Sequence, residues 1–171
     1  MPQPAPSYVH TQSGWWLFVA LGFGACGLLA AIAIVNAGHP PAGGPPAIFV
    51  LGVALAILLI TAAFFSTLDV RVTGDTLAWR FGPGLLRFSL PLADIASVAP
   101  ARTPLWAGIG IHWIFTGWVY NVSGRDAVEI TKRDGGKVWI GTDEPLALAA
   151  AIDRARSEAR AASAPAPGAA R

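Results

Sequence analysis

The sequence has 171 residues with 12 Lys or Arg and 10 Asp or Glu, and every one of these charged residues lies at or after Asp69. Soluble domains carry charge on about a quarter of their residues, so the uncharged first 68 residues exclude an ordinary water-exposed fold for that stretch. A formal net charge of +2 is also too small to favour a nucleic-acid partner.

Two apolar runs lie inside the uncharged stretch. As helices, residues 15–35 would span about 32 Å and residues 48–65 about 27 Å, close to a hydrocarbon core of about 30 Å. The residues between them, 36–47, are rich in Pro and Gly, which end helices and favour turns. The sequence therefore predicts a leader at 1–14, two transmembrane helices and a short external loop.

Two other interpretations of the apolar runs stay open. The first run resembles a secretory signal peptide because small residues follow Val35, although no basic residue precedes the run. The runs also fit core helices of a soluble protein, although neither has the polar face of a surface helix. Membrane helices account for both runs, and we retain them as the prediction.

Basic residues near the second run predict the orientation of the chain. Arg71, Arg80 and Arg87 follow this run, whereas the leader and the external loop contain no Lys or Arg. By the positive-inside rule, the N-terminus and the C-terminal domain are both cytoplasmic in a multi-pass protein of the cell (inner) membrane. Small residues four apart, such as Gly52 and Ala56, would allow self-association through the helices.

Alternating apolar and polar residues predict three short strands directly after the second helix, joined by two turns. A two-residue turn at Gly74-Asp75 places Asp69 opposite Arg80, and the next turn places Trp79 opposite Phe88. The apolar residues then share one face of the meander. The predicted strands cover residues 68–73, 77–81 and 86–90.

More strands and a closing helix follow the meander. The last two strands would form a hairpin whose three-residue loop pairs Ile130 with Ile140. A capping Thr142 followed by acidic residues and Pro145 predicts a helix start, and the residues after 160 are predicted to be disordered. The additional predicted strands cover residues 91–101, 117–123, 127–133 and 137–142.

Four stretches of the domain carry a resemblance to a known family. They are Leu77–Gly84, Phe88–Ile95, Pro104–Ile111 and Gly141–Leu146, and together they resemble bacterial pleckstrin-homology-like (PH-like) domains. The resemblance implies an α+β membrane protein with two N-terminal membrane spans. It also implies, over residues 66–160, an antiparallel β barrel or sandwich of about seven strands capped by a C-terminal α-helix.

The segment 105–120 is the candidate interaction site, since it is uncharged and contains three of the seven tryptophans. It would be a third membrane span, ordinary core, or an apolar loop that contacts the membrane surface or a partner. The candidate contact residues are Trp106, His112, Trp113 and Trp118.

Several basic residues of the domain are a candidate surface for anionic lipid headgroups. The alternative is an ordinary solvated surface with interspersed acids. The candidate basic patch consists of Arg80, Arg87, Lys132 and Arg133.

No catalytic, metal-binding or phosphate-binding motif occurs in the sequence, so we predict a non-enzymatic protein without cofactors. Its expected role is a membrane-anchored PH-like interaction module at the inner face of the bacterial cell membrane, with the lipid bilayer and a protein as partners. The alternative is an accessory subunit of a larger membrane protein complex.

Overall fold

The structure, a computed structural model, describes residues 6–38 and 47–163. Within these ranges the chain forms three α-helices and two β-sheets, of four and five strands. In chain order the elements are β1 (Tyr8–Ser13), α1 (Trp15–Gly38), α2 (Ala47–Phe65), β2 (Thr67–Thr73), β3 (Thr76–Phe81), β4 (Leu86–Pro91), β5 (Ile95–Arg102), β6 (Gly110–Ile114), β7 (Gly117–Asn121), β8 (Asp126–Lys132), β9 (Lys137–Gly141) and α3 (Pro145–Ser163).

The two apolar helices differ in how fully they meet the requirements of a membrane span. Within α1, residues Trp15–Ile34 are long and apolar enough to cross a bilayer, and none of that window is buried. A core-helix interpretation of α1 is therefore wrong. In α2 the apolar part, Phe49–Phe65, is shorter, so α1 is the one helix of the described residues that meets the length of a span. Most of the predicted external loop lies outside the described residues.

The leader before α1 contains a strand for which the sequence analysis has no counterpart. Strand β1 pairs antiparallel with β2, so that Thr11 lies opposite Asp69 and Gln12 opposite Leu68. The Gly14 N–H donates to the carbonyl of Ser66 at 2.8 Å. The start of α1 and the end of α2 therefore lie side by side, at the same edge of the β domain.

The register of the first meander is confirmed. Strand β2 places Asp69 opposite Arg80 and Val70 opposite Trp79, and β4 places Phe88 opposite Trp79. The predicted register of the β8–β9 hairpin is wrong, because Ile130 pairs with Val138 and not with Ile140. The physical reason is a turn that starts one residue earlier than predicted. A hydrogen bond from the Lys132 N–H to the Gly136 carbonyl encloses residues 133–135, and the Asp134 carboxylate accepts the Gly136 N–H.

The second sheet departs from the predicted arrangement of about seven strands, since the described residues contain nine. Its strand order is β5-β8-β9-β7-β6, so β5 pairs with β8. The β6–β7 hairpin lies between these two strands in sequence but joins the sheet on the other side of β9. Strand β7 runs parallel to β9. Of the predicted barrel or sandwich, the barrel is wrong because the two sheets do not close; each keeps two edge strands.

The core lies between the two sheets and is closed by α3. Leu68 and Trp79 of the first sheet pack with Ile130 of the second and with Leu148 and Ile152 of α3. The helix starts at Pro145, as predicted, where the Thr142 hydroxyl accepts the Glu144 N–H. It continues to Ser163, so the first residues of the predicted disordered tail are helical, and residues 164–171 lie outside the described part.

Asp69 joins β1, β2 and β3 through its carboxylate. It accepts hydrogen bonds from the Thr11 hydroxyl and from Arg80, whose guanidinium lies 2.7 Å away. Burial by itself raises the pKa of Asp69, but the bonds from Thr11 and Arg80 and the charges of Arg80 and Arg71 outweigh burial, so the pKa lies below its usual value. The carboxylate is therefore more stable in the folded than in the unfolded chain.

Replacing Asp69 by asparagine is expected to destabilise the fold by about 1 kcal/mol at pH 7. Because the folded pKa of Asp69 is depressed, its stabilisation is present above the unfolded pKa of about 4 and is lost as pH falls through the folded pKa. Thermal melting of parent and D69N protein should therefore converge in acid. The matched control is Asp94→Asn, an exposed carboxylate without a side-chain partner among the described residues. A pH-independent difference between D69N and parent would contradict this role.

Candidate interaction surface

The β6–β7 hairpin presents a pair of tryptophans at the edge of the second sheet. Trp113 and Trp118 lie directly opposite each other, with ring centroids 5.7 Å apart in an edge-to-face arrangement. They are 61% and 44% exposed, and Phe115 in the turn between their strands is 97% exposed. We name these three residues the aromatic hairpin surface. Neighbouring apolar side chains that are exposed together often mark a site at which a protein binds a partner.

The aromatic hairpin surface is continuous with the core. Trp118 contacts Tyr120, which is buried and packs on Trp79 and Phe88 at centroid distances of 5.1 and 4.7 Å. Burial raises the pKa of Tyr120, so its hydroxyl stays protonated and uncharged near neutral pH. A row of packed rings therefore supports the exposed tryptophans, which limits the conformational entropy lost when a partner binds.

The opposite face of the hairpin packs on a small second core. Ile114 and Val119 are buried together with Ala107 and contact Trp139. His112 lies opposite Val119 on this face, and its buried Nε2 has no hydrogen-bond partner among the described residues. The structure therefore separates His112 from the two tryptophans with which the sequence analysis grouped it.

Trp106 lies outside the hairpin. It belongs to a 3₁₀ turn at Leu105–Ala107 and is 66% exposed. Gly110, four residues further on, lies about 4.0 Å from the Phe65 ring at the end of α2, measured from the position of an added Cβ. Segment 105–120 thus forms a turn and a hairpin, and the interpretation as a third membrane helix is wrong.

Exposed apolar side chains surround the point where the helices join the domain. Trp15 and Trp16 stack at 4.0 Å at the start of α1, and both are about half exposed. Leu85, which is 71% exposed, belongs to the β3–β4 turn that packs on the end of α2. Trp15, Trp16 and Leu85 form what we name the apolar rim.

The four residues of the predicted basic patch lie in two separate places. Arg80 and Arg87 are opposite each other on β3 and β4, and Arg80 is neutralised by Asp69. Lys132 and Arg133 lie at the β8–β9 turn, where Lys132 pairs with Asp134 and Arg133 donates to a backbone carbonyl of another segment. The described contacts do not join the two pairs into one surface.

Sequence reasoning missed Phe115 and Leu85, the two most exposed apolar residues after the helices apart from Leu146 of α3. Both belong to turns next to a glycine, where an apolar side chain does not reach the core. An apolar residue in a turn was therefore the feature of the sequence that could have identified them.

Among residues 6–38 and 47–163, no three His, Cys, Asp or Glu side chains come together as they would around a metal ion. No protein-family model matches the sequence, and a search of curated proteins finds none that is similar to it.

Proposed function

We propose that this chain is a non-enzymatic interaction module, held at the inner face of a bacterial cell membrane by a two-helix anchor. Its aromatic hairpin surface binds a protein partner beside the bilayer. The observation that carries the proposal is the exposure of Trp113, Phe115 and Trp118. These residues lie on a hairpin that is inserted in the chain between the paired strands β5 and β8. Functional residues are concentrated on such excursions from a rigid scaffold.

The surface of the helices supports the anchor. Large apolar side chains of α1 and α2 are exposed around both helices, including Phe23, Ile34, Phe49 and Leu59. Water disfavours apolar exposure on this scale, whereas lipid tails accept it. With 19 residues α2 would measure about 28 Å, close to the thickness of the hydrocarbon core.

The pairing of β1 with β2 supports a hairpin anchor over a cleaved signal peptide. Cleavage after α1 would remove β1, and with it the strand that covers the edge of β2. The same pairing favours one side of the membrane for the N-terminus and the domain, because β1 precedes α1 and β2 follows α2. The basic residues after α2 favour the cytoplasmic side.

Cysteine labelling in intact cells tests this topology. In a Cys26→Ala background, a membrane-impermeant maleimide is expected to label Ala42→Cys, in the proposed external loop, and to spare Ser89→Cys, which is exposed on β4. Both variants should label after the membrane is permeabilised. Labelling of Ser89→Cys but not Ala42→Cys in intact cells would reverse the orientation.

The resemblance to PH-like domains belongs to the same proposal. The four-stranded sheet, the β5-β8-β9 arrangement and the closing α3 support it. The β6–β7 hairpin departs from it, because the hairpin interrupts the succession of paired strands between β5 and β8.

The alternative function, an accessory subunit of a larger membrane complex, is favoured by one observation. An open apolar groove of about 100 Å³ runs between α1 and α2, lined by residues that include Leu29 and Leu55. A groove of this kind suits the side chains of another membrane helix.

Replacing Trp113 and Phe115 by serine is expected to release at least 90% of a stoichiometric partner co-purified in mild detergent, an effect of about 1.4 kcal/mol or more. The double variant L29A/L55A, which changes the groove and not the hairpin, is the matched comparison. Partner loss only in the groove variant would favour the accessory-subunit function. Unchanged melting of each variant, measured without the partner, would show that the fold is retained.

A further inference from the structure

A second concave feature lies at the end of the domain opposite to the helices. It is a cleft of about 370 Å³ between the 3₁₀ turn Leu92–Asp94, the β8–β9 turn and the last two turns of α3. This volume falls within the usual range of about 300–1,000 Å³ for small-molecule sites. The cleft shares no lining residue with the aromatic hairpin surface or the apolar rim.

Three guanidinium groups converge on this cleft. Arg156 and Arg160 lie four residues apart on one face of α3, a spacing at which like charges destabilise a helix, and Arg133 comes from the β8–β9 turn. Arg133 and Arg160 have no carboxylate partner among the described residues. Asp75 is the acidic residue among those that line the cleft, so positive charge exceeds negative charge there.

Arg156 adds a buried positive charge. The side chain is only 9% exposed, and its terminal nitrogens bind Asp153 at 2.8 Å and the carbonyls of Ile95 and Ala96 at 2.9 and 2.8 Å. The remaining donor, Nε, has no hydrogen-bond partner among the described residues. Because Nε is enclosed by protein atoms, Arg156 contributes its positive charge to the cleft and not a free donor.

The position of the cleft indicates which phase supplies the ligand. Asp75 lies in the β2–β3 turn, whereas Thr67 and Phe81, at the other ends of these strands, adjoin the end of α2. Seven residues of strand separate these ends by about 20 Å. A lipid headgroup in the membrane that holds the helices does not reach that far, so the ligand comes from the aqueous phase.

We propose that this cleft binds the phosphate group of a water-soluble small molecule, held by Arg133 and Arg160 beside the charge of Arg156. Guanidinium groups match the oxygens of phosphate in geometry and charge, and a dianion relieves the repulsion between Arg156 and Arg160. The ligand site is independent of the partner-binding function proposed above, because the two use different surfaces.

Inorganic phosphate is the probe for this site, added to the full-length protein in a neutral detergent at pH 7.5. Phosphate is expected to raise the melting temperature saturably, and sodium chloride at equal ionic strength is not. R160Q and R133Q should weaken the apparent phosphate affinity at least fivefold. R154Q is the matched control, since Arg154 is exposed on the same helix and does not line the cleft.

Stability without phosphate distinguishes a ligand site from a structural role of Arg160. Removal of the repulsion between Arg156 and Arg160 should leave R160Q as stable as the parent or more stable, whereas a structural residue would lower the melting temperature when replaced. Equal phosphate shifts in R160Q, R154Q and parent protein would overturn the site. In vesicles, competition with phosphate by phosphatidic acid of the same bilayer, dependent on Arg160, would overturn the soluble origin of the ligand.

Discussion

Replacing Gly82 by alanine is expected to lower the melting temperature by about 5–10 °C more than the same replacement of Gly124, a difference of about 2–3 kcal/mol. Both glycines have positive φ, 46° and 70°, which costs an alanine about 1–2 kcal/mol at either position. Their surroundings differ. An added Cβ at Gly124 meets nothing within 4 Å, whereas at Gly82 it overlaps the carbonyl oxygen of Ala63 and lies 2.9 Å from that of Phe64.

The overlap at Gly82 cannot be relieved by a side-chain rotation. Both neighbouring oxygens belong to the backbone of the last turn of α2, and the Gly82 N–H donates to the Thr67 carbonyl at 2.9 Å just beyond that turn. Relief requires the end of α2 or the β3–β4 turn to move. Overpacking of this kind costs about 1–3 kcal/mol.

Intrinsic tryptophan fluorescence during heating in detergent measures this prediction on parent, G82A and G124A protein. Trp79 lies in the core and reports unfolding of the domain to which the β3–β4 turn belongs. Equal melting temperatures for G82A and G124A would contradict the close packing of this turn on α2. The expected difference would show that α2 and the β domain pack on each other at Gly82 and are not joined only through the chain.

The first meander was predictable because its information is local. Alternation from Leu68 to Leu90 sets the inward face, and two short turns leave one register that keeps Val70, Trp79 and Phe88 together. The β8–β9 hairpin has the same alternation, but its true register differs from the predicted one by two residues. A shift of two leaves every side chain on the same face, so the apolar pattern does not distinguish the two registers.

Strands β1 and β6 were missed for different physical reasons. Residues 8–13 alternate weakly, and their partner strand follows two helices, so that Thr11 and Asp69 are 58 residues apart in sequence. In β6 both faces are apolar, since Ile111 and Trp113 face one way and Ile114 the other. Such a strand lacks the alternation that would identify it.

The candidate site was predictable only in its composition. The uncharged, tryptophan-rich segment identifies the region, but the pairing of Trp113 with Trp118 depends on the hairpin turn. The separation of His112 from them depends on the strand register, and the isolation of Trp106 depends on a 3₁₀ turn. The grouping of Arg133 with Arg156 and Arg160 depends on contacts between elements far apart in sequence.

Removal of residues 6–13 is expected to destabilise the domain by about 3–6 kcal/mol, on the scale of about 1 kcal/mol for each hydrogen bond lost. The deletion takes away the six paired positions of β1 and leaves β2 as an exposed edge. It also removes the bond from Gln12 Nε2 to the Ser123 carbonyl at 3.0 Å, and the contact of His10 with Asp143 at 2.5 Å.

Tyr8 adds a further link between β1 and the start of α3. Its hydroxyl donates to Glu144 at 3.4 Å, and burial followed by the Glu144 carboxylate raises the pKa of Tyr8 to about 12. The donor is therefore retained at any pH near neutral. Melting of the deletion variant beside one that lacks only residues 2–5 measures the contribution of β1. Equal melting temperatures would mean that the leader is not part of the folded domain.

A cross-strand disulfide tests the same pairing without a deletion. In a Cys26→Ala background, Val9→Cys and Arg71→Cys would lie directly opposite each other, and both positions are exposed. Oxidation of the purified protein is expected to join them, whereas Val9→Cys with Ser89→Cys should stay reduced because no pairing brings these positions together. Residue 9 precedes α1 and residue 71 follows α2. The bond therefore forms only if the residues before α1 are retained and the chain that follows α2 returns to β1.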